Sequence, residues 1–165
     1  MNENSQNSLR QISETELKEM LEAHSQWLGS GGKTGRLANF SNTLLDRMDF
    51  RSCDLRQGNF QGASLVDAIL KDACLQETDF RNANLKGADL QKSVFDNAIF
   101  IKANLDGAYL QKSVFPAAIF QEANLEGVMI QGADLESSIG LVQEQLNTVQ
   151  WGDKHTKLPP GLNLP

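Results

Sequence analysis

Residues 91–100 read Gln-Lys-Ser-Val-Phe-Asp-Asn-Ala-Ile-Phe, and residues 111–120 read Gln-Lys-Ser-Val-Phe-Pro-Ala-Ala-Ile-Phe. A decapeptide that returns after twenty residues is a repeat, and repeats take precedence over every local reading. Phe95, Phe100, Phe115 and Phe120 fall five apart, and the other four phenylalanines, Phe40, Phe50, Phe60 and Phe80, keep the same count. From Phe40 to Leu135 every fifth residue is Phe, Leu or Ile, twenty positions without a break, and Gly140 ends the run. With this residue as the third of a five-residue unit, the first is Ala, Gly, Ser, Thr or Cys in eighteen of twenty units, with Met48 and Val128 as exceptions.

Neither standard period accommodates this. Five residues turn a helix by about 500°, which spreads the apolar positions around its axis. On a flat strand five is odd, so successive large residues would face opposite ways. A chain that bends by about a right angle at every unit buries all of them around one axis, and four bends close a coil of twenty. The sequence tests that second period independently: Phe40, Phe60, Phe80, Phe100 and Phe120 form one column, and Leu45, Leu65, Leu85, Leu105 and Leu125 the next. Gly or Asn at several fifth positions, such as Gly87, Asn97 and Gly107, suits a turn with a left-handed residue. The expectation is an all-β solenoid of five coils, roughly 24 Å long at ~4.8 Å per coil.

The units Ala83-Asn-Leu-Lys-Gly, Ala88-Asp-Leu-Gln-Lys, Ala103-Asn-Leu-Asp-Gly and Ala123-Asn-Leu-Glu-Gly resemble the A(D/N)Lxx consensus of pentapeptide repeat proteins. The resemblance implies a right-handed quadrilateral β-helix with the small and large residues inside. The flanks resemble those of bacterial, including cyanobacterial, members, through His24-Ser-Gln-Trp-Leu28 and Gly152-Asp-Lys-His-Thr-Lys-Leu-Pro159.

A solenoid needs covered ends. Ser13-Glu14-Thr15-Glu16 reads as a capping box, and Leu17, Met20, Leu21, His24, Trp27 and Leu28 follow at helical spacing. Residues 141–149 read as a second short helix, and the proline-bearing residues 157–165 as an extended tail. The expected organisation is a disordered 1–12, an N-terminal capping helix and linker over 13–37, the β-helix over 38–139, and a C-terminal capping helix with tail over 140–165.

Composition narrows function. Hydrophobic residues at 40% and charged residues at 22% suit a folded soluble chain, and the net charge of −6 argues against binding nucleic acid or anionic membranes. No apolar leader or spanning segment is visible, so a cytoplasmic location is expected. Gly32-Lys33-Thr34 suggests a phosphate loop, but Trp27 stands where that motif needs glycine and a helix precedes it, so a linker is expected. His24 and His155 lie on opposite flanks without ligand-spaced partners, which implies no metal. Cys53 points inward and Cys74 outward, so both should remain thiols. No supported nucleophile or acid–base pair appears, so neither catalytic residues nor cofactors are expected.

Two partner readings remain. The resemblance implies one of them, because some members imitate DNA and occupy the DNA-binding saddle of gyrase. Here residues 38–137 carry fourteen acids and nine bases, a mild excess that solubility alone explains. The other comes from the outward second position, which turns apolar in later coils as Val94, Ile99, Tyr109, Val114, Ile119 and Met129, with Ile101 nearby at a fourth position. By contrast Asn84, Asn104 and Asn124 keep one side polar. Grouped apolar residues facing solvent mark a contact surface for a protein partner or a second copy, unless the tail folds back over them or Val and Ile stand there only as good strand formers. The sequence therefore points to a non-enzymatic interaction module, with a gyrase-directed DNA mimic as the alternative.

Overall fold

A computed structural model describes residues 9–165. One register runs through it. Asn39 bridges Asn59, Leu44 bridges Ser64, Asp49 bridges Ile69 and Asp54 bridges Cys74, and each series continues upward in parallel steps of twenty. These series define sides one to four of the coil, so sides one and three stand opposite each other, as do two and four. Each second-position residue turns both backbone groups toward the coil below. Val114 N–H donates to the Ser93 carbonyl at 3.1 Å, and the Val114 carbonyl accepts from Phe95 N–H at 2.9 Å.

Between sides the chain makes a four-residue turn, for example Ala63 N–H to the Phe60 carbonyl at 3.0 Å. Its third residue needs positive φ. Every fifth-position residue from Asn42 to Gly132 adopts it, and fourteen of these are not glycine, including Arg47, Lys92, Ala117 and Glu122. The sequence linked this geometry to Gly and Asn. Packing of the inward residues imposes it on the rest, at a cost of about 1–2 kcal/mol for each residue with a Cβ.

What offsets that cost is the interior. The third-position residues from Phe40 to Leu135 are buried, and most first positions with them. The phenylalanine column stacks ring on ring: Phe80–Phe100 at 5.1 Å and Phe100–Phe120 at 4.9 Å, with planes within 8°. On side four Phe95 and Phe115 stack at 4.8 Å and meet the first column edge-on, Phe115–Phe120 lying at 5.3 Å and 65°. Stacking at the strand spacing satisfies backbone pairing and aromatic contact together.

Both ends extend beyond five coils. Residues 1–8 lie outside the described residues, and so does that part of the expected disordered segment. For residues 9–12 the structure corrects the expectation: Arg10 bridges Thr43, with Arg10 N–H donating to the Asn42 carbonyl and Leu44 N–H to the Arg10 carbonyl, each at 2.8 Å. Helix α1 spans Glu14–Gly29. The Ser13 hydroxyl accepts from Glu16 N–H at 3.1 Å, while the Glu16 carboxylate pairs with Arg10. Leu17, Met20 and Leu21 pack on the core, and buried His24 accepts from Ala38 N–H through Nδ1 at 3.2 Å. The loop after α1 returns over the helix. A Cβ at Gly35 would lie 2.2 Å from the Ala23 carbonyl, so this glycine is required for the close approach of the loop to the helix.

Above the last coil, Ile139, Trp151 and Lys157 bridge Ile119, Met129 and Asp134 and so add a layer to three sides. The expected helix over 141–149 shortens to α2, Gln143–Leu146, and Gln145 Nε2 donates to the Phe120 and Ala123 carbonyls at 2.9 and 2.8 Å. The tail is not extended along the solenoid. It turns at residues 159–162, packs Leu158, Leu162 and Leu164 on the core, and meets Gln143 through Asn163, whose N–H donates to Gln143 Oε1 at 3.1 Å.

Candidate functional site

Side two is closed upon itself. Asn104 Nδ2 donates to Asn84 Oδ1 at 3.1 Å, and Asn124 Nδ2 donates to Asn104 Oδ1 at 2.9 Å. The same oxygens accept local amides, as Asn104 Oδ1 does from Asp106 N–H at 3.2 Å. This polar ladder has little left to offer a partner.

The other three sides change character halfway up. Side one runs Asn39, Asn59 and Asp79, then Ile99, Ile119 and Ile139. Side three ends in Tyr109, Met129 and Trp151, and side four carries Cys74, Val94 and Val114 between Asp54 and Asp134. The structure therefore places Ile99 and Ile119 together with Ile101 at the adjoining corner, and Val94 with Val114 on the next side. Tyr109 and Met129 stand on the side opposite Ile99 and Ile119. These seven residues form a belt around three sides, and no flat partner touches all of them at once. Most are half-buried by neighbouring strands, with Tyr109 the most open at 38%.

Two members of the belt were missed in the sequence, and they are its most exposed: Ile139 at 52% and Trp151 at 56%. Ile139 follows Ile119 by twenty residues and was legible from the period. Trp151 follows Met129 by twenty-two, because α2 interrupts the count, and only the fold reveals its place. The described tail packs Leu158, Leu162 and Leu164 on the core at the end of the solenoid, with Leu164 against Gly152.

Charge is arranged mainly in pairs. Arg51, Arg56 and Arg81 each reach the aspartate two residues earlier, with closest contacts of 2.6, 2.6 and 2.5 Å to Asp49, Asp54 and Asp79. Lys86 pairs with Asp106 at 2.7 Å, and Lys157 with Asp134 at 2.7 Å. The hydrogen bonds from Arg51 hold the Asp49 carboxyl down at about 2. Burial lowers the His24 pKa, partly opposed by Asp54, and burial pushes the Cys53 thiol up. Cys53 and Cys74 are both free thiols. Among the described residues no three His, Cys, Asp or Glu side chains are grouped to hold a metal, and no helix is long and apolar enough to cross a membrane.

A family profile described as pentapeptide repeats matches residues 36–72, 73–111 and 98–136, in eight copies. HetL, a pentapeptide repeat protein involved in heterocyst differentiation regulation in the cyanobacterium Nostoc sp. strain PCC 7120, is similar in structure with a TM-score of 0.60. It is 24% identical over 62% of this chain and 46% of its own. A pentapeptide repeat protein of the Arabidopsis thaliana thylakoid lumen is 34% identical over 66% of this chain and 68% of its own, with a TM-score of 0.33. QnrB1, a plasmid-mediated fluoroquinolone resistance protein, is 15% identical over 61% and 55%, with a TM-score of 0.41. The chain thus spans about half the length of HetL and of QnrB1. No protein of curated function is a significant sequence match. The architecture shared with HetL is the right-handed quadrilateral β-helix.

Proposed function

The chain belongs to the pentapeptide repeat family, and from that premise we propose that it is a non-enzymatic interaction module whose last coils present apolar sides to a protein partner. The observation that carries this reading is the change of the outward position from Asn and Asp to Ile, Val, Tyr and Met in the upper coils, with the tail packed on the core at the end of the solenoid. Val94, Ile99, Ile101, Tyr109, Val114, Ile119 and Met129 are the contact residues. A rigid rod needs little ordering on binding, so modest area can give useful affinity. In this reading α1 and α2 are end caps that leave only the sides available, and the protein works in the cytoplasm.

The alternative, a DNA-mimicking inhibitor or protector of gyrase, needs columns of uncompensated acid. The ion pairs of Asp49, Asp54, Asp79 and Asp106 neutralise much of the acid, and the unpaired Glu77, Asp96 and Glu136 line one narrow corner rather than a broad acidic face.

A photo-crosslinking residue at position 119, compared with one at position 104 on the asparagine ladder, tests the proposal in producing cells. A defined partner captured from 119 alone, and lost with Ile99→Lys, is expected. Equal capture from both positions, or none from 119, overturns it.

A further inference from the structure

Side four has a property that the other sides lack. Its middle is an unbroken apolar column, Cys74, Val94 and Val114, closed below by the Asp54–Arg56 pair and above by the Asp134–Lys157 pair. Among the described residues of the repeat, all but three of the lysines and arginines form ion pairs. The three are Lys71, Lys92 and Lys112, and all stand at the corner between sides three and four. At the corner on the other edge, between sides four and one, stand Glu77, Asp96 and Glu136, again with no cation paired to them among the described residues. Asp72 beside Lys71 is the one acid on the basic edge. Side three shares the basic edge, but Asp89 interrupts its column and its other edge is largely ion-paired internally.

A strip with an apolar middle, one basic edge and one acidic edge is complementary to itself in a single orientation. Rotation by 180° about an axis parallel to the solenoid lays the basic edge of one copy on the acidic edge of the other at the same height. Rotation about the perpendicular axis would lay lysine on lysine. We propose that side four is the contact surface for a second copy of this chain, in a parallel side-by-side dimer. Lys71 then faces Glu77 of the second copy, Lys92 faces Asp96, and Val94 and Val114 each meet their own counterpart. The proposal rests on reading the apolar belt as contact surface and adds which occupant one side of it takes. Five coils at ~4.8 Å and one side of ~13 Å give a small contact area, so the dimer is weak and belongs to the range from about 1 micromolar to 1 millimolar.

Sedimentation of the full chain across that concentration range, at low and high salt, is the test. A reversible dimer that weakens with salt is expected. Val114→Lys removes it, and Lys71→Glu with Lys92→Glu, which face Glu77 and Asp96, weakens it roughly tenfold through like-charge contact. A chain with that pair of changes, mixed with one carrying Glu77→Lys and Asp96→Lys, forms a heterodimer tighter than the homodimer of either variant. With Cys53→Ser, a short bismaleimide joins Cys74 to Cys74 in the dimer. Circular dichroism of each variant confirms that the fold is retained. A monomer at all concentrations, a dimer indifferent to the charge reversals, or one joined through Cys residues placed at 94 and 114 but not through 94 and 94, overturns the proposal. Specific capture from position 119 by a monomeric chain would sink this inference alone and leave the interaction reading standing.

Discussion

Ser113 Oγ accepts the Ser93 amide at 3.2 Å and donates its own proton to the Leu90 carbonyl at 2.6 Å. One coil lower Ser93 repeats the arrangement with the Ala73 amide, at 3.1 Å, and the Leu70 carbonyl, at 2.6 Å. Both hydroxyls are buried at a position that alanine usually fills. Among the described residues the Ser113 hydroxyl is the only partner of the Ser93 amide, whereas alanine units close the turn on their own carbonyl.

Ser113→Ala should therefore destabilise by about 1–3 kcal/mol, because it strands a buried amide and a carbonyl. Adding Ser93→Ala should cost less than the sum of the two single changes, since an all-alanine column can close its turns in the ordinary way. Urea unfolding of the two single variants and the double variant reads this directly.

Glycine should help at a corner where it usually harms a protein. Ala117 sits at φ 52°, and Ala117→Gly should raise stability by ~0.5–1 kcal/mol after the entropy of the glycine is counted. The converse, Gly107→Ala, meets no atom within 4 Å, so its cost of about 1 kcal/mol would come from φ alone. Opposite shifts in melting temperature are the expected result.

Phe100 stacks between Phe80 and Phe120 and meets Phe95 and Phe115 edge-on. Phe100→Ala should cost about 3–5 kcal/mol by leaving a cavity where two columns meet. Tyr109→Ala, at an outward position on the opposite side of the same coil, should stay within roughly 0.5 kcal/mol. Chemical denaturation distinguishes the two.

The N-terminal end should loosen in acid in two stages. Burial holds the His24 pKa below its ordinary 6.5, so the unfolded chain takes up the proton first. Stability from this group is complete at neutral pH and falls as the pH drops below 6.5 toward the folded value. Protonation also removes Nδ1 as acceptor for the Ala38 amide. His24→Asn, which can still accept that bond but does not titrate there, should flatten this part of the profile. Asp49, held at about 2, contributes stability that is complete above its unfolded value and is lost progressively as the pH falls from 3.8 toward 2. Hydrogen exchange of the residue 38 amide against pH follows the first stage.

Removing residues 155–165 should expose the end of the core, since Leu158, Leu162 and Leu164 pack there and Thr156 Oγ1 donates to the Ile130 carbonyl at 3.0 Å. Light scattering should show association at concentrations where the full chain is monomeric. Ile119→Lys should not prevent it, because the new surface is the end and not a side.

The architecture was legible in the sequence because every unit solves the same packing problem. The columns at five and twenty residues record both the bend and the closure of the coil, and the outward apolar residues could be assigned to their sides by count alone. That count holds only while each side adds five residues. It fails at α2, which is why Trp151 went unrecognised as the continuation of Tyr109 and Met129, and it says nothing of Arg10, whose strand joins side two across helix α1.

The sequence by itself determined the solenoid, its four sides and its buried columns, since these follow from a local period that no helix or flat strand can bury. Only the tertiary structure decided how the ends close, which corners bear strain and which charges remain unpaired. Each of these depends on side chains twenty or more residues apart meeting across neighbouring coils, a contact that no single unit encodes.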